Sequence, residues 1–371
     1  MATFQHGPLR VGFALNFATA ARAAADIQRV YHEVTEAIEY AEELGLDGAW
    51  IGQHHFDNTD GPFPSPLVFL ATVAERTRRI ALGTGITTLP LEDPLRLAED
   101  AAVLDVLSGG RLNLGLGTGG ANLDGFRSFG LRSEDRHQLF DQRVARFRHA
   151  LSGKSLVAGQ DGPRLFPPAT ELRERVFQAA TQDHSVRAAA RTGDGLQLGS
   201  FFDPAGTGQR PKAAAYHEEY ARCGHPRPPR VAVFRFVYAG PSKEEVLARL
   251  EPEFAPRLEF LARRAEISGN ATLAGLSVRE YLDRVTFYGS PSDIVRAVEA
   301  DPVIPDYASH FVANFSYREE FSLAATRERL RVLATEIAPA LDWRPAFSAA
   351  ASPVPAASPV PAASPAATRR S

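Results

Sequence analysis

Residues 93–117 read DPLRLAEDAAVLDVLSGGRLNLGLG, and this stretch decides the fold. Asp93-Pro94 opens a helix and Gly109-Gly110 closes it, the expected asymmetry of start and stop residues. RLNLGLG (111–117) then follows directly as a short apolar strand. A helix that feeds an apolar strand without a long loop is half of a β/α repeat. The fold class depends on how often that repeat recurs.

It recurs along most of the chain. RVGFALNF (10–17) reads as a first strand, and VTEAIEYAEELGLDG (34–48) as a helix with Val34, Ile38, Ala41 and Leu44 on one face, stopping at Gly45. A strand AWIGQ (49–53), a helix over 65–78 and a strand RIALGTGI (79–86) follow. Further strands are expected at 175–180, 194–199, 230–240 and 310–315, most of them separated by helical patterns. Apolar strands alternating with helices imply a parallel sheet covered on both faces. About eight such units fit a closed (β/α)8 TIM barrel; an open doubly wound sheet is the alternative. The excursion 240–288 reads as helices inserted before the last β/α unit, as a substrate cover or an added packing layer, with a mobile stretch at SGNATLAG (268–275). The barrel domain is expected over 1–345. The tail AFSAAASPVPAASPVPAASPAATRRS (346–371) has proline every few residues and little to bury, so it is expected to be disordered and dispensable.

Composition narrows the function. The chain has 371 residues, 44% hydrophobic and 23% charged, with a net charge of −3. That balance carries no nucleic-acid footprint. A single cysteine, Cys223, excludes an intramolecular disulfide and a Cys-based metal cluster. No apolar stretch approaches the roughly 18 residues of a membrane span. The start MATFQHGPLR does not read as a signal peptide, and a cytoplasmic location is expected.

Two motifs carry chemistry. GAWIGQHHF (48–56) ends a strand on two adjacent histidines, at the end of the barrel where active sites lie. In a regular strand His54 and His55 would point to opposite faces, so a shared metal is not expected. If the strand is ending, one or both rings face the mouth, where imidazole exchanges protons near neutral pH. The other reading is one packed histidine and one solvated one. GLGTGG (115–120) has the literal spacing G-x-G-x-x-G at Gly115, Gly117 and Gly120. The following ANLDGFRSFG (121–130) shows turn chemistry and no helical period, so the dinucleotide fingerprint is rejected. Small residues that allow a close backbone approach, or merely a tight turn, remain.

Together, QHHF (53–56) and LEDPLRLAEDAAVLDVLSGGRLNLGLGTGG (91–120) resemble the bacterial luciferase-like family of flavin-dependent monooxygenases. VFQAATQDHSVRAAARTGDGLQL (176–198) and YGSPSDIVRAV (288–298) support the resemblance, which covers roughly residues 10–335. It implies a barrel that binds reduced FMN at its top face and, through a C4a-peroxyflavin, gives one oxygen atom of O2 to a small organic substrate. It implies catalytic roles for His54, His55 and Asp124. His54 would be the acid/base or hydrogen-bond donor. Flavin would contact Gly85 and Ile86, whose peptide is sometimes cis in the family, and the turn Gly117, Thr118 and Gly119. Its phosphate would meet Thr181, Gln182 and Ser185 at a helix start, with Arg136 as the nearby cation. No metal is implied.

The chain departs from luciferase at Gln53, where an acid stands, at Gly117 and Thr118, where cysteine and arginine stand, and at Thr181, where a carboxylate stands. Light emission and long-chain aldehyde use are therefore not expected. With no pyridine-nucleotide fingerprint, a separate flavin reductase is the expected source of reduced FMN. A homodimer is implied. The alternatives are an F420-dependent oxidoreductase of the same fold and a non-catalytic flavin-binding protein.

Overall fold

The computed structural model describes residues 4–5, 7–15, 17, 19, 21–56, 61–120, 123–157, 159–180, 182–199, 208–267, 275–315 and 321–345. The tail from 346 and most of 268–275 lie outside them. In chain order the elements are β1 (Arg10–Leu15), α1 (Ala24–Glu43), β2 (Gly48–Ile51), α2 (Pro66–Arg76), β3 (Ala81–Thr84), β4 (Thr87–Thr88), α3 (Pro94–Leu107) and β5 (Leu112–Gly117). Next come α4 (Leu123–Ser128), α5 (Arg136–Ala150), β6 (Val176–Ala179), α6 (Asp183–Thr192), β7 (Gly195–Leu198), α7 (Arg210–Cys223) and β8 (Val231–Ala239). The last are α8 (Lys243–Ile267), α9 (Val278–Val285), β9 (Thr286–Gly289), α10 (Pro291–Glu299), α11 (Ile304–Tyr307), β10 (His310–Asn314) and α12 (Leu323–Val332).

Eight parallel strands, β1, β2, β3, β5, β6, β7, β8 and β10, pair in sequence, and β10 closes the ring by pairing with both β8 and β1. The open-sheet alternative is therefore excluded. β8 is long enough to serve three partners: Val231–Val233 pair with β7, Ala232–Phe236 with β10, and Phe236–Ala239 continue upward to pair with β9. That extension, with α8 and α9, is the insertion before the last unit, and it has its own small apolar core around Tyr238, Phe254 and Tyr281.

The stretch that decides the fold behaves as its residues dictate. The Asp93 carboxylate accepts from the backbone N–H of Leu95 and Arg96 at 2.9 and 3.0 Å, and these bonds hold it below the usual carboxylate range. Gly109 and Gly110 turn the chain with φ of +68° and +81°, which side chains resist. Two expectations fall short. α1 starts at Ala24, ten residues before the apolar period becomes visible, and 123–128 form a helix where only turn chemistry was expected. Six residues are too few to display a 3.6-residue period, although Phe126 anchors that helix in full burial.

Inside the barrel, Trp50 plugs the lumen. A Cβ built on Gly12, Gly48 or Gly83 would lie 2.3, 2.6 or 2.3 Å from its indole, so only glycine fits at these three positions. Phe234 and His310 meet the indole edge-on at 6.0 and 6.5 Å, and Phe177 meets His310 at 5.7 Å. At the N-terminal end of the strands the polar groups are tied down. Glu42 accepts the backbone N–H of Arg78, Arg79 and Ile80, and Asp194 takes Arg148, Gln178 Nε2 and Thr192 Oγ1.

Buried His310 is expected to make this barrel acid-sensitive. Burial, with Arg10 and Arg230 nearby, pushes its pKa down to about 3. An unfolded histidine takes up its proton near pH 6.5, whereas the folded one refuses it. Stability from this group is complete above about pH 6.5 and falls by up to about 1.4 kcal/mol per pH unit as the pH drops toward the folded value. Urea midpoints at pH 7 and pH 5 should therefore differ more in the parent than in His310→Asn. Equal pH dependence would show that His310 does not carry the effect.

Candidate active site

β2 ends at Ile51, so the histidine pair lies beyond the regular strand, and strand alternation no longer governs either ring. Gln53 fixes this segment. Its amide oxygen accepts from Thr88 N–H at 2.6 Å, and its amide nitrogen donates to Glu92 Oε1 at 2.7 Å and to Pro64 O at 3.0 Å. A carboxylate at 53 could keep the first bond but would face Glu92. The amide is therefore the form that suits Glu92. His54 donates its backbone N–H to Phe63 O, and its ring lies against Gly61, where a Cβ would come within 3.2 Å. His55 is half-buried. Burial holds its imidazole below the usual range, and the charge of Glu92 opposes that only in part.

The ends of β3 and β5 form the adjoining wall. The Gly85–Ile86 peptide is cis; it separates β3 from β4, both of which pair with β5. Gly85 N–H donates to Ile51 O, and Ile86 O accepts from Gln53 N–H, so this peptide is hydrogen-bonded beside the histidine segment. A Cβ on Gly117 would stand 2.8 Å from Ile86 Cγ1, and Gly119 adopts φ of +70° with Thr88 against its Cα. Side chains at 117 and 119 would run into Ile86 and Thr88, so only glycine fits at both positions. Thr118 is partly exposed between the two glycines.

The residues expected at a phosphate form a second group. Gln182 is the exposed N-cap residue of α6, and Ser185 is buried in its first turn, with Oγ 3.1 Å from His184 Nε2. Arg136 begins α5 and donates to Ser133 O at 2.9 Å. Together with Asp141 and His184 it lies close enough to His137 to act on that ring's charge, so the starts of α5 and α6 face one another. Thr181 lies outside the described residues. Asp124 is placed by its backbone in the first turn of α4, and its side chain lies outside the description.

Sequence reasoning missed several lumen groups. Among the described residues, Trp50 Nε1, Thr87 Oγ1, Gln197 Oε1, Asn314 Oδ1 and His55 Nε2 are buried without a hydrogen-bond partner. Gln197 and Asn314 were detectable as polar residues inside the otherwise apolar strand interiors of DGLQLG (194–199) and HFVANF (310–315). Buried polar atoms are costly unless a water or ligand satisfies them. Polar groups named above at the opposite end of the barrel are paired, so the lumen and mouth are the candidate ligand site. A flat heterocycle with several ring donors and acceptors suits it.

A closed (β/α)8 barrel with such a C-terminal mouth is an enzyme scaffold of the kind whose chemistry sits at the strand ends. Residues 10–300 match the model of the luciferase-like monooxygenases, and the chain belongs to that family, whose members are oxidoreductases. It is 31% identical over 203 residues to limonene 1,2-monooxygenase of Rhodococcus erythropolis, covering 53% of this chain and 52% of that one. It is 38% identical over 120 residues to an F420-dependent glucose-6-phosphate dehydrogenase of Kineococcus radiotolerans, covering 31% and 33%. Among solved structures, the oxygenating constituent of 3,6-diketocamphane monooxygenase from Pseudomonas putida, in complex with FMN, superposes with a TM-score of 0.69 at 18% identity. That superposition covers 90% of this chain and 98% of that one, a likeness of fold alone. The match spans 22–61% of the length of the curated relatives, 52% for the limonene monooxygenase. Among the described residues, no helix is long and apolar enough to cross a membrane.

Proposed function

We propose that this chain is the oxygenase component of a reduced-FMN-dependent monooxygenase, supplied by a separate flavin reductase and acting on a small organic substrate. The observation that carries the proposal is the set of unsatisfied buried polar atoms in the lumen and at the mouth of a barrel of this family. Gly85, Ile86, Gly117, Thr118 and Gly119 would border the flavin ring. Thr181, Gln182, Ser185 and Arg136 would hold its phosphate, where the first-turn N–H groups of α6 and a guanidinium favour an anion. These residues would hold reduced FMN, which would supply the two electrons that let one oxygen atom of O2 enter the substrate while the other leaves as water.

The protein's own residues supply the remaining functions. His54 exchanges a proton at its imidazole, and His55, kept neutral by burial, orients by hydrogen bonding. Asp124 supports the pair. Gln53 and Glu92 fix the segment that bears both histidines. The glycine-lined wall and Trp50 floor exclude water from below. Exposed apolar residues on α2 and α3, Val68, Val103, Val106 and Leu107, support a homodimer.

The test is oxygen uptake by the full chain with photoreduced FMN, run beside a screen for reduction of added F420 by alcohols and sugar phosphates. Oxygen uptake stimulated by an organic compound is the expected result. F420 reduction without oxygen uptake would assign the hydride-transfer chemistry named for the dehydrogenase relative.

A further inference from the structure

Three aromatic rings touch at the barrel mouth. His55 meets Phe129 edge-on with centroids 5.1 Å apart and leans on Phe56 at 5.9 Å, and the two phenyl rings lie 5.5 Å from each other. They come from two separate loops, one after β2 and one after α4. Phe56 is 57% exposed and Phe129 47%, against the burial that phenyl rings normally find. Phe56 also holds φ of +63°, a left-handed conformation that is an outlier for a bulky L-residue. Such outliers gather at ligand clamps and active sites. Within this apolar rim, His55 Nε2 is buried and unpartnered among the described residues.

Resting on the reading of this mouth as the substrate entrance, we infer that Phe56, Phe129 and His55 form the docking face for the substrate. The substrate class is an uncharged molecule with a planar or cyclic hydrocarbon frame and one hydroxyl or carbonyl oxygen. The two phenyl rings, held by separate loops, offer flat faces that reward offset or edge-on ring packing. The buried Nε2 of His55, unpartnered among the described residues, matches one oxygen. An anion would lie beside the carboxylate of Glu92 and would lose its hydration against phenyl rings.

The experiment is a fluorescence titration of the full chain with 2-naphthol and with its charged counterpart 2-naphthoate. Each is run on the parent, Phe129→Ala, Phe129→Leu and Phe56→Gly, with reduced FMN binding measured on the same samples. Saturable 2-naphthol binding is expected, with 2-naphthoate at least about tenfold weaker. Phe129→Ala and Phe56→Gly should each weaken 2-naphthol by about tenfold, as loss of an anchoring ring does. Phe129→Leu, which keeps bulk but not the ring, should fall between. Unchanged 2-naphthol affinity in all three variants would overturn the inference, and would place the probe elsewhere, as in the 370 Å³ groove between α1 and α2 lined by Tyr31, Phe63 and Phe69. Equal binding of 2-naphthoate would overturn it too. Ring-dependent 2-naphthol binding in a chain that takes no FMN would refute the cofactor reading and leave the docking face standing. FMN binding without ring-dependent 2-naphthol affinity would refute the docking face alone.

Discussion

His54→Ala should leave a folded barrel that binds reduced FMN nearly as well as the parent and forms product roughly 10²-fold more slowly, the scale of losing a positioned acid/base group. The side chain is partly exposed and lies in a segment held by other groups. Its backbone N–H reaches Phe63 O, and Gln53 ties the preceding residue to Thr88, Glu92 and Pro64. Truncating the ring therefore removes chemistry before it removes structure. Oxygen should still be consumed but should leave as hydrogen peroxide, uncoupled from substrate. His54→Gln separates two roles: little rescue means proton transfer, and substantial rescue means orientation. An unfolded His54→Ala chain would show that the ring is a packing element. Full coupled activity would move the role to His55.

Trp50→Ala should cost about 3–5 kcal/mol of stability, the upper range for truncating a buried large side chain. Three glycines face the indole at distances that admit no Cβ, so no neighbouring side chain on those strands can swing in to fill the vacancy. Phe234 and His310 would lose their edge-on partner as well. Val157→Ala, at an exposed position after α5, is the control and should stay within about 0.5 kcal/mol of the parent. Chemical denaturation measures both. A loss below about 1 kcal/mol for Trp50→Ala would mean that the lumen collapses around the gap at little cost.

Trp50 also shows where sequence reading stops. Most strand and helix positions were legible because start residues such as Asp93-Pro94 and stops such as Gly109-Gly110 bracket several units of the repeat, whereas α1 starts after Ala23 without a capping side chain. Which side of β2 faces the lumen was not legible, since a parallel barrel strand is apolar on both faces. The three glycines that face Trp50 are spread over β1, β2 and β3, and only the pairing register of these neighbouring strands brings them to one indole. Gln53 and Glu92 stand 39 residues apart, and the His55–Phe129 contact spans still more of the chain. The positions of the expected site residues came from the family resemblance; no period or composition marks Gly85 or Ser185. α4 escaped notice because six residues cannot show a helical period.

The central claim is that a reduced flavin occupies the top of this barrel. Ala179, at the end of β6, is partly exposed, and its Cβ lies 3.4 Å from where a Cβ on Gly117 would stand. A phenyl group there would occupy the proposed flavin position. Anaerobic titration of the parent and of Ala179→Phe with reduced FMN is the most direct measurement. The account expects one saturable site per chain in the parent, and at least about tenfold weaker binding in the variant at unchanged melting temperature. Equal affinity in Ala179→Phe, or no saturable site in the parent, would contradict it.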